Sequence, residues 1–407
     1  MDTPVDRLRL HDLLALCAAA LLCIGALMVQ SAAMNVTGDL SWQWTDRGVR
    51  HLIYVGLGVA TFFIVSRVDY ARLAGGEAGG AWWRSPIVWV LAVAILLCVA
   101  VLVPGVGIEK NGARRWLPLG PVQVQPSEIA KWAVVLFLAW WLTRSPLNLR
   151  RFPTLLLTLA PIGAVCLLIV IEDFGTAVLI GLCAFAMLMT CGRISRWQLL
   201  ALIPPVLAVG AWFVMHKEYR LRRMLAFLDP WAAPRGEGYH MVQSLLSFST
   251  GGLTGKGLGN GVQKLGYLPE DTTDFIFAVI CEELGLFGAL LTIGMYLGIA
   301  FVAWQVIRSR RDSFGRMLAF GVAAMACLQA AINVAVATVS VPTKGLSLPL
   351  VSAGGSGLVI ACGALGLLSS VCRHRHRDPA PPPADAEPTS DKPVLSESDW
   401  RAWTVAG

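Results

Sequence analysis

Three stretches of this chain carry residue types that can do chemistry, and each interrupts otherwise apolar sequence. The first is 264–278, KLGYLPEDTTDFIFA. Leu268-Pro269 breaks the chain there, and Thr272, Thr273 and Asp274 are types that cap helix N-termini. From Phe275 to about Ile307 the sequence is almost wholly apolar, long enough to cross a bilayer, which needs roughly 20 residues. The pattern puts Asp274 near a membrane surface, at the positive end of a membrane helix. Two readings follow. Asp274 is a helix cap, or it is a general base whose ionised form the helix dipole favours. Glu282 and Glu283 lie two turns deeper. Helical spacing sets Glu282 about 80° from Asp274 and Glu283 on the opposite side, so the two glutamates are not expected to share a role. Each is a candidate anchor to another helix.

The second stretch runs from 110 to 131: Lys110, Arg114 and Arg115, then Gln125-Pro-Ser127-Glu128, then Lys131. Guanidinium groups bind phosphate bidentately, so the functional reading is a diphosphate site at a membrane face. The plainer reading is a structural pair facing carboxylates or headgroups. Glu128 and Lys131 can pair at i, i+3 at the start of an apolar helix. An ionisable pair there is a functional candidate, and equally a structural one.

The third stretch is 342–356, PTKGLSLPLVSAGGS. Its prolines and paired glycines make an ordered, non-helical lead into the last apolar segment. It is either an interface turn or a further cavity wall, with Lys344 as a phosphate contact and Ser356 at the helix start. Between the first two stretches lie Arg222, Arg223 and Asp229, and a glycine-rich run at 251–261 that lacks P-loop spacing. The apolar 241–248 segment is expected to lie on the membrane surface.

The elements that position these residues are membrane spans. Of 407 residues, 56% are hydrophobic and only 14% charged, where a soluble protein carries about 25%. Mean hydropathy is +0.64. About ten apolar segments can be drawn, near 13–34, 52–65, 87–103, 129–142, 154–171, 176–190, 199–215, 275–307, 317–339 and 358–371. The expected fold class is therefore all-α, a polytopic membrane protein of about ten transmembrane helices within residues 1–377, with a large extracytoplasmic loop at about 216–273. The Pro-, Ala- and acid-rich end, 378–407, reads as a disordered cytoplasmic tail. Arg concentrates at both chain ends and in alternate loops. The opposite loops hold only Arg47, Arg50, Lys110, Arg114, Arg115 and Lys344, besides the large loop. The Arg-rich side is cytoplasmic by the positive-inside rule, which puts all three chemical stretches outside and both termini inside. The formal charge of +7 flanks spans rather than forming one patch, which speaks against nucleic-acid binding. The 10 Cys all fall in or beside apolar segments and read as small apolar fillers.

The runs GARRWLPLGPVQVQPSEIAK, FLDPW, GYHMVQS, GKGLGNGVQKLGYLPEDTTDFIFAVICEELG and TKGLSLPLVSAGGS resemble, in order, the signatures of the SEDS family (FtsW/RodA/SpoVE), and the TKG and KLGYLPE runs resemble its division branch more than its elongation branch. The resemblance implies a ten-span fold and a peptidoglycan glycosyltransferase that polymerises lipid II outside the bacterial cytoplasmic membrane. It implies Asp274 as the catalytic base and places the family's motif lysine at Lys131. The acceptor 4-hydroxyl would attack the donor's anomeric carbon with inversion, and undecaprenyl diphosphate would leave. The implied partners are lipid II, undecaprenyl-diphosphate-linked glycan, a class B penicillin-binding protein and other division proteins at the septum. No cofactor signature is present; a divalent cation, Mg or Mn, is the one candidate, to neutralise the diphosphate. The chain departs from the family at Thr272 (usually His), at His240 in GYH (usually GYQ), and at Ala353 and Gly357 (usually Tyr and Ser). A lipid II flippase and a non-catalytic division scaffold are the competing readings. A flippase predicts ionisable residues along the midplane of several spans, whereas here they gather at one face.

Overall fold

The computed structural model describes residues 9–33, 45–74, 82–110, 113–120, 122–144, 149–216 and 218–374. The expected tail lies outside them, as do Asn111 and Gly112.

Every apolar segment drawn from hydropathy is a helix. In chain order they are α1 (Leu10–Ala32), α2 (Asp46–Arg67), α4 (Pro86–Leu102), α5 (Pro126–Arg144), α6 (Phe152–Val170), α7 (Phe174–Thr190), α8 (Arg196–Met215), α11 (Ile276–Ser309), α12 (Ser313–Ala337) and α13 (Ser356–Arg373), with a single turn, α3 (Ala71–Ala74), before α4. Local chemistry sets their starts. Thr45 accepts from Gly48 N ahead of α2, Asp173 from Thr176 N ahead of α7, and Asp312 from Phe314 N and Gly315 N ahead of α12, each satisfying donors that a helix start leaves open. Leu16, Leu57, Leu96, Leu157 and Leu207 are exposed, as lipid-facing residues of a multi-pass membrane protein are.

Helices α5 and α12 sit at the centre. α5 packs on α4, α7, α12 and α13, and α12 packs on α5, α7, α11 and α13. Their buried faces carry Lys131, Gln329 and Asn333, polar groups that only a protein-lined interior tolerates. At one end of the bundle Tyr70 donates to Asp312 Oδ2 at 2.6 Å and Ser370 donates to Val68 O at 2.6 Å, tying α2, α12 and α13 together.

The three chemical stretches gather at the other end, and there the structure adds to and corrects the sequence reading. The all-α expectation misses a small antiparallel sheet, β1 (Ile108–Lys110), β2 (Ala113–Leu119) and β3 (Val122–Val124), in order β1-β2-β3. β1 and β3, of three residues each, are too short to show a period-2 pattern, and β2, ARRWLPL, does not alternate. The large loop contains α9 (Glu218–Leu228) and α10 (Tyr239–Gly251). α10 does not lie on the membrane surface: Met241, Val242, Ser244 and Ser247 are buried and the helix packs on α11.

α11 is not one span. Gly285 takes φ 63 and ψ −159 and divides it. Thirty-four residues would make a rod of about 50 Å, well beyond the roughly 30 Å hydrocarbon core. The first part, 276–284, is instead a buried half-helix. The backbone groups freed at the break pair with the glycine-rich loop. Lys256 N and Gly257 N donate to Glu282 O and Glu283 O, both at 3.0 Å, and Leu286 N donates to Gly252 O at 3.0 Å. Broken helices persist at membrane depth only when protein re-satisfies the backbone in this way. A Cβ on Gly285 would stand 2.4 Å from Gly255 N, so both the conformation and the contact require glycine.

Candidate active site

Asp274 ends a run of turns just ahead of the half-helix. Glu270, at φ 57, turns its carbonyl toward Thr273 N, Asp274 N and Phe275 N, which donate to it at 3.2, 3.1 and 3.2 Å. A glutamate held in the left-handed region is strained, at a cost of order 1–3 kcal/mol, and such strain concentrates at functional sites. The N-cap of α11 is Phe275, and no side chain caps the helix. Asp274 is thus not its cap.

The aspartate is held from behind. Asn333 Nδ2 donates to Asp274 O at 2.8 Å and to Leu346 O at 2.7 Å, fastening the segment and the 342–355 loop to α12. Ser352 Oγ donates to Thr273 O at 2.6 Å, and Ala353 N to Thr272 O at 2.9 Å. The carboxylate faces forward. A Cβ built on Gly345 would lie 3.3 Å from Asp274 Oδ2 and 3.6 Å from Arg115 Nη1, so the carboxylate and the guanidinium flank one glycine. Burial, and then Glu270 and Asp173, push the Asp274 carboxyl from 3.8 up to about 7, against Arg115 and Arg223, which pull it down. The helix dipole therefore does not hold this carboxylate firmly ionised, as the sequence reading expected; desolvation wins. A group poised near 7 is well matched to general-base work.

Arg114 and Arg115 do not act as a pair. The β1–β2 register slips between Ile108 and Glu109, so that Arg115 is the extra residue of a bulge between the paired Arg114 and Trp116, and a bulge re-aims the side chain it carries. Arg114 lies 3.5 Å from Glu109 across the β1–β2 ladder, and its backbone N donates to Glu172. Arg115 turns toward Asp274, and its buried Nε has no hydrogen-bond partner.

Lys344 stands 5.3 Å above the Phe174 ring, and its Cβ lies 3.2 Å from where a Cβ on Gly175 would be. Burial lowers its pKa and Asp173 raises it. Asp173 is itself engaged, accepting from Thr176 N and Oγ1 at 3.1 and 2.7 Å.

Glu128 and Lys131 are set apart from this group as a buried pair, 2.6 Å apart, with Lys131 only 2% exposed. Lys131 also donates to Gln329 Oε1 at 2.7 Å, and Gln329 Nε2 to Ser347 O at 2.8 Å. A small cavity lined by Glu128, Lys131, Gln329, Ser352 and Gly357 lies here. This cluster supports the 342–355 loop from inside. Beside the substrate-binding role expected for Glu128 and Lys131, the geometry gives the pair a positioning one, through Gln329 and Ser347 O. Ser127 and Ser356 are buried, with hydroxyls that make no hydrogen bond, and Gln125 O accepts from Glu128 N at 3.0 Å. Their contribution is to the start of α5 and α13. Asp229 caps the turn Pro230–Ala232 through Trp231 N and Ala232 N.

Glu282 and Glu283, expected to have separate roles, share one. Glu283 Oε1 lies 2.8 Å from Lys264 Nζ and accepts from Gly261 N at 3.3 Å, while Oε2 accepts from Gly259 N at 3.0 Å; Ser31 Oγ contacts both oxygens at 2.8 and 2.7 Å. Glu282 accepts from Lys256 Nζ at 2.9 Å, Val262 N at 2.9 Å and Gln263 N at 3.1 Å. The helical-wheel argument fails because the loop wraps around the half-helix and meets both sides of it.

Sequence reasoning missed Asn333 and Gln329, which lie in none of the motif runs, and gave no role to Gly345 and Glu270, which lie within them. It noted His240 only as a departure. The ring stacks on Phe275 at 5.9 Å and 12°, and burial lowers its pKa. Among the described residues no group of three or more His, Cys, Asp or Glu is placed to hold a metal ion.

A protein of Nitrosococcus halophilus named "Probable peptidoglycan glycosyltransferase FtsW" is 39% identical over 360 residues, covering 87% of this chain and 90% of that one. One of the same name from Marinobacter nauticus is 37% identical over 365 residues, 88% of each. A solved structure described as "Structural coordination of polymerization and crosslinking by a peptidoglycan synthase complex" matches with TM-score 0.70 and 28% identity, covering 90% of this chain and 98% of that one. The Thermus thermophilus rod shape determining protein RodA matches with TM-score 0.64 and 28% identity, covering 90% and 97%. The family model for FtsW, RodA and SpoVE, described as "Cell cycle protein", matches residues 11–377, and the chain belongs to that family.

Proposed function

We propose that this chain is a peptidoglycan glycosyltransferase of the division type, which polymerises lipid II into glycan strands at the outer face of the bacterial cytoplasmic membrane. The observation that carries the reading is the meeting of the Asp274 carboxylate and the Arg115 guanidinium across Gly345, with Lys344 on the same loop. Asp274 takes the proton of the attacking 4-hydroxyl as that oxygen bonds to the donor's anomeric carbon. The bond from that carbon to the diphosphate oxygen breaks, and undecaprenyl diphosphate leaves. Arg115, with an unpartnered Nε, and Lys344, with no carboxylate partner among the described residues, meet the charge that develops on it. Gly345 keeps a side chain out of the gap between base and cation.

The termini are cytoplasmic and the Asp274 end faces out, and the setting is the septum. A class B penicillin-binding protein is the partner; the similarity to a component of a peptidoglycan synthase complex supports this. Incubation of purified protein with purified lipid II tests the activity. Glycan polymer is expected from the wild-type chain; lipid II that is moved across vesicles but never polymerised would replace this reading with the flippase.

A further inference from the structure

We propose that α9 is an in-plane helix whose apolar stripe is seated in the surface of the phospholipid bilayer. The axis turns by 101° between 200–215 of α8 and 220–228 of α9. A helix that leaves a membrane span at a right angle runs along the membrane plane. On α9, Leu221, Met224, Leu225 and Leu228 fall within an arc of about 100°. All four are exposed, Leu228 at 74%, and α9 packs chiefly on α8 and on the turn Pro230–Ala232. The stripe continues the exposed apolar surface of α8, where Trp212 and Met215 face outward, and that surface is lipid-facing in a multi-pass protein.

The rest of α9 faces protein. Arg220 donates to Val170 O, Ile171 O and Phe213 O at 3.1, 3.0 and 3.2 Å and lies over the Phe174 ring. Ala226 is buried. Arg223, on the side away from the stripe, acts electrostatically on both Asp274 and His240. Arg222, at the edge of the stripe, is exposed and 3.8 Å from Glu218. An aliphatic stripe edged by arginine matches the boundary between acyl chains and anionic headgroups. α9 thus presents its stripe to the membrane surface. This holds whether or not the polymerase reading stands, because it follows from the placement of α9 alone.

The test uses full-length protein in vesicles of phosphatidylethanolamine and phosphatidylglycerol, with one environment-sensitive fluorescent amino acid at Leu225, Leu228 or Arg222. Phospholipids carrying a quencher just below the headgroup are expected to quench the labels at 225 and 228 several-fold more than the label at 222, and aqueous iodide to do the reverse. Equal iodide quenching at all three positions overturns the proposal. So does protection of 225 and 228 from both quenchers, the outcome expected if a second copy of the chain covers the stripe. If a label at Leu225 blocks folding, Leu221, one turn earlier on the same stripe, takes its place.

Discussion

Asp274 is where the chemistry and the cost of the site meet. A general base typically contributes roughly 10²–10⁴-fold in rate, and an Asn amide cannot accept the proton. Asp274→Asn is therefore expected to polymerise lipid II at least ~100-fold more slowly, and Asp271→Asn, three residues earlier, to keep most activity. With the carboxyl near 7, the wild-type rate should rise as pH increases from 6 to 8, and Glu270→Gln should move that rise to lower pH, since Glu270 pushes the Asp274 value up. Stability runs the other way. The folded value lies above the ordinary 3.8, so the folded protein holds this proton more tightly than the unfolded chain. That contribution is present at low pH and is lost as pH rises through about 7. Asp274→Asn should accordingly melt higher than wild type at pH 8, with the gap closing below pH 5. A variant that polymerises at the wild-type rate would falsify the assignment of the base. The two arginines make a second contrast. Arg115→Ala should abolish most polymerisation, while Arg114→Ala, losing a half-exposed contact to Glu109, should change stability by less than ~1 kcal/mol and leave most activity. Equal losses from both would mean that the bulge at Arg115 does not separate their roles.

At the scale of elements, the half-helix 276–284 and the glycine-rich loop form one unit. Glu283 and Lys264 are both buried, and removing one member of such a pair strands a charge, at a cost of about 3–5 kcal/mol. Glu283→Gln and Lys264→Met should each lower the melting temperature and expose 252–264 to proteinase K, and the double variant should lose less than the sum. Wild-type proteolysis in both single variants would show that the backbone pairing at Gly285 holds the loop without them. The sequence showed that both glutamates enter an apolar segment, but their partners, Ser31 of α1 apart, come from one loop 19 to 26 residues upstream, and helical phase says nothing about how a loop wraps. The same limit applies to Lys131. Its i, i+3 pairing with Glu128 is legible locally; that the pair lies behind the site, on Gln329, depends on how α5 and α12 pack.

Across the whole molecule, the ends of the bundle differ. One gathers Asp274, Arg115 and Lys344; the other gathers Tyr70, Asp312 and Ser370. Cysteines placed at Leu253 and at Arg311 of a cysteine-free variant should differ in intact cells, the first reacting with an impermeant maleimide and the second not. External labelling at 311 would invert the topology. Hydropathy by itself located the ten long apolar helices, because the bilayer's thickness and its lack of hydrogen-bonding partners leave a long apolar run one structure to adopt. The motif runs determined the family and pointed to Asp274. Tertiary structure alone decided which arginine faces the aspartate, where α11 breaks, that α10 is buried while α9 is bare, and that desolvation lifts the Asp274 carboxyl. Each of these depends on strand facing, loop closure or neighbouring charge, and these are set by residues distant in the chain.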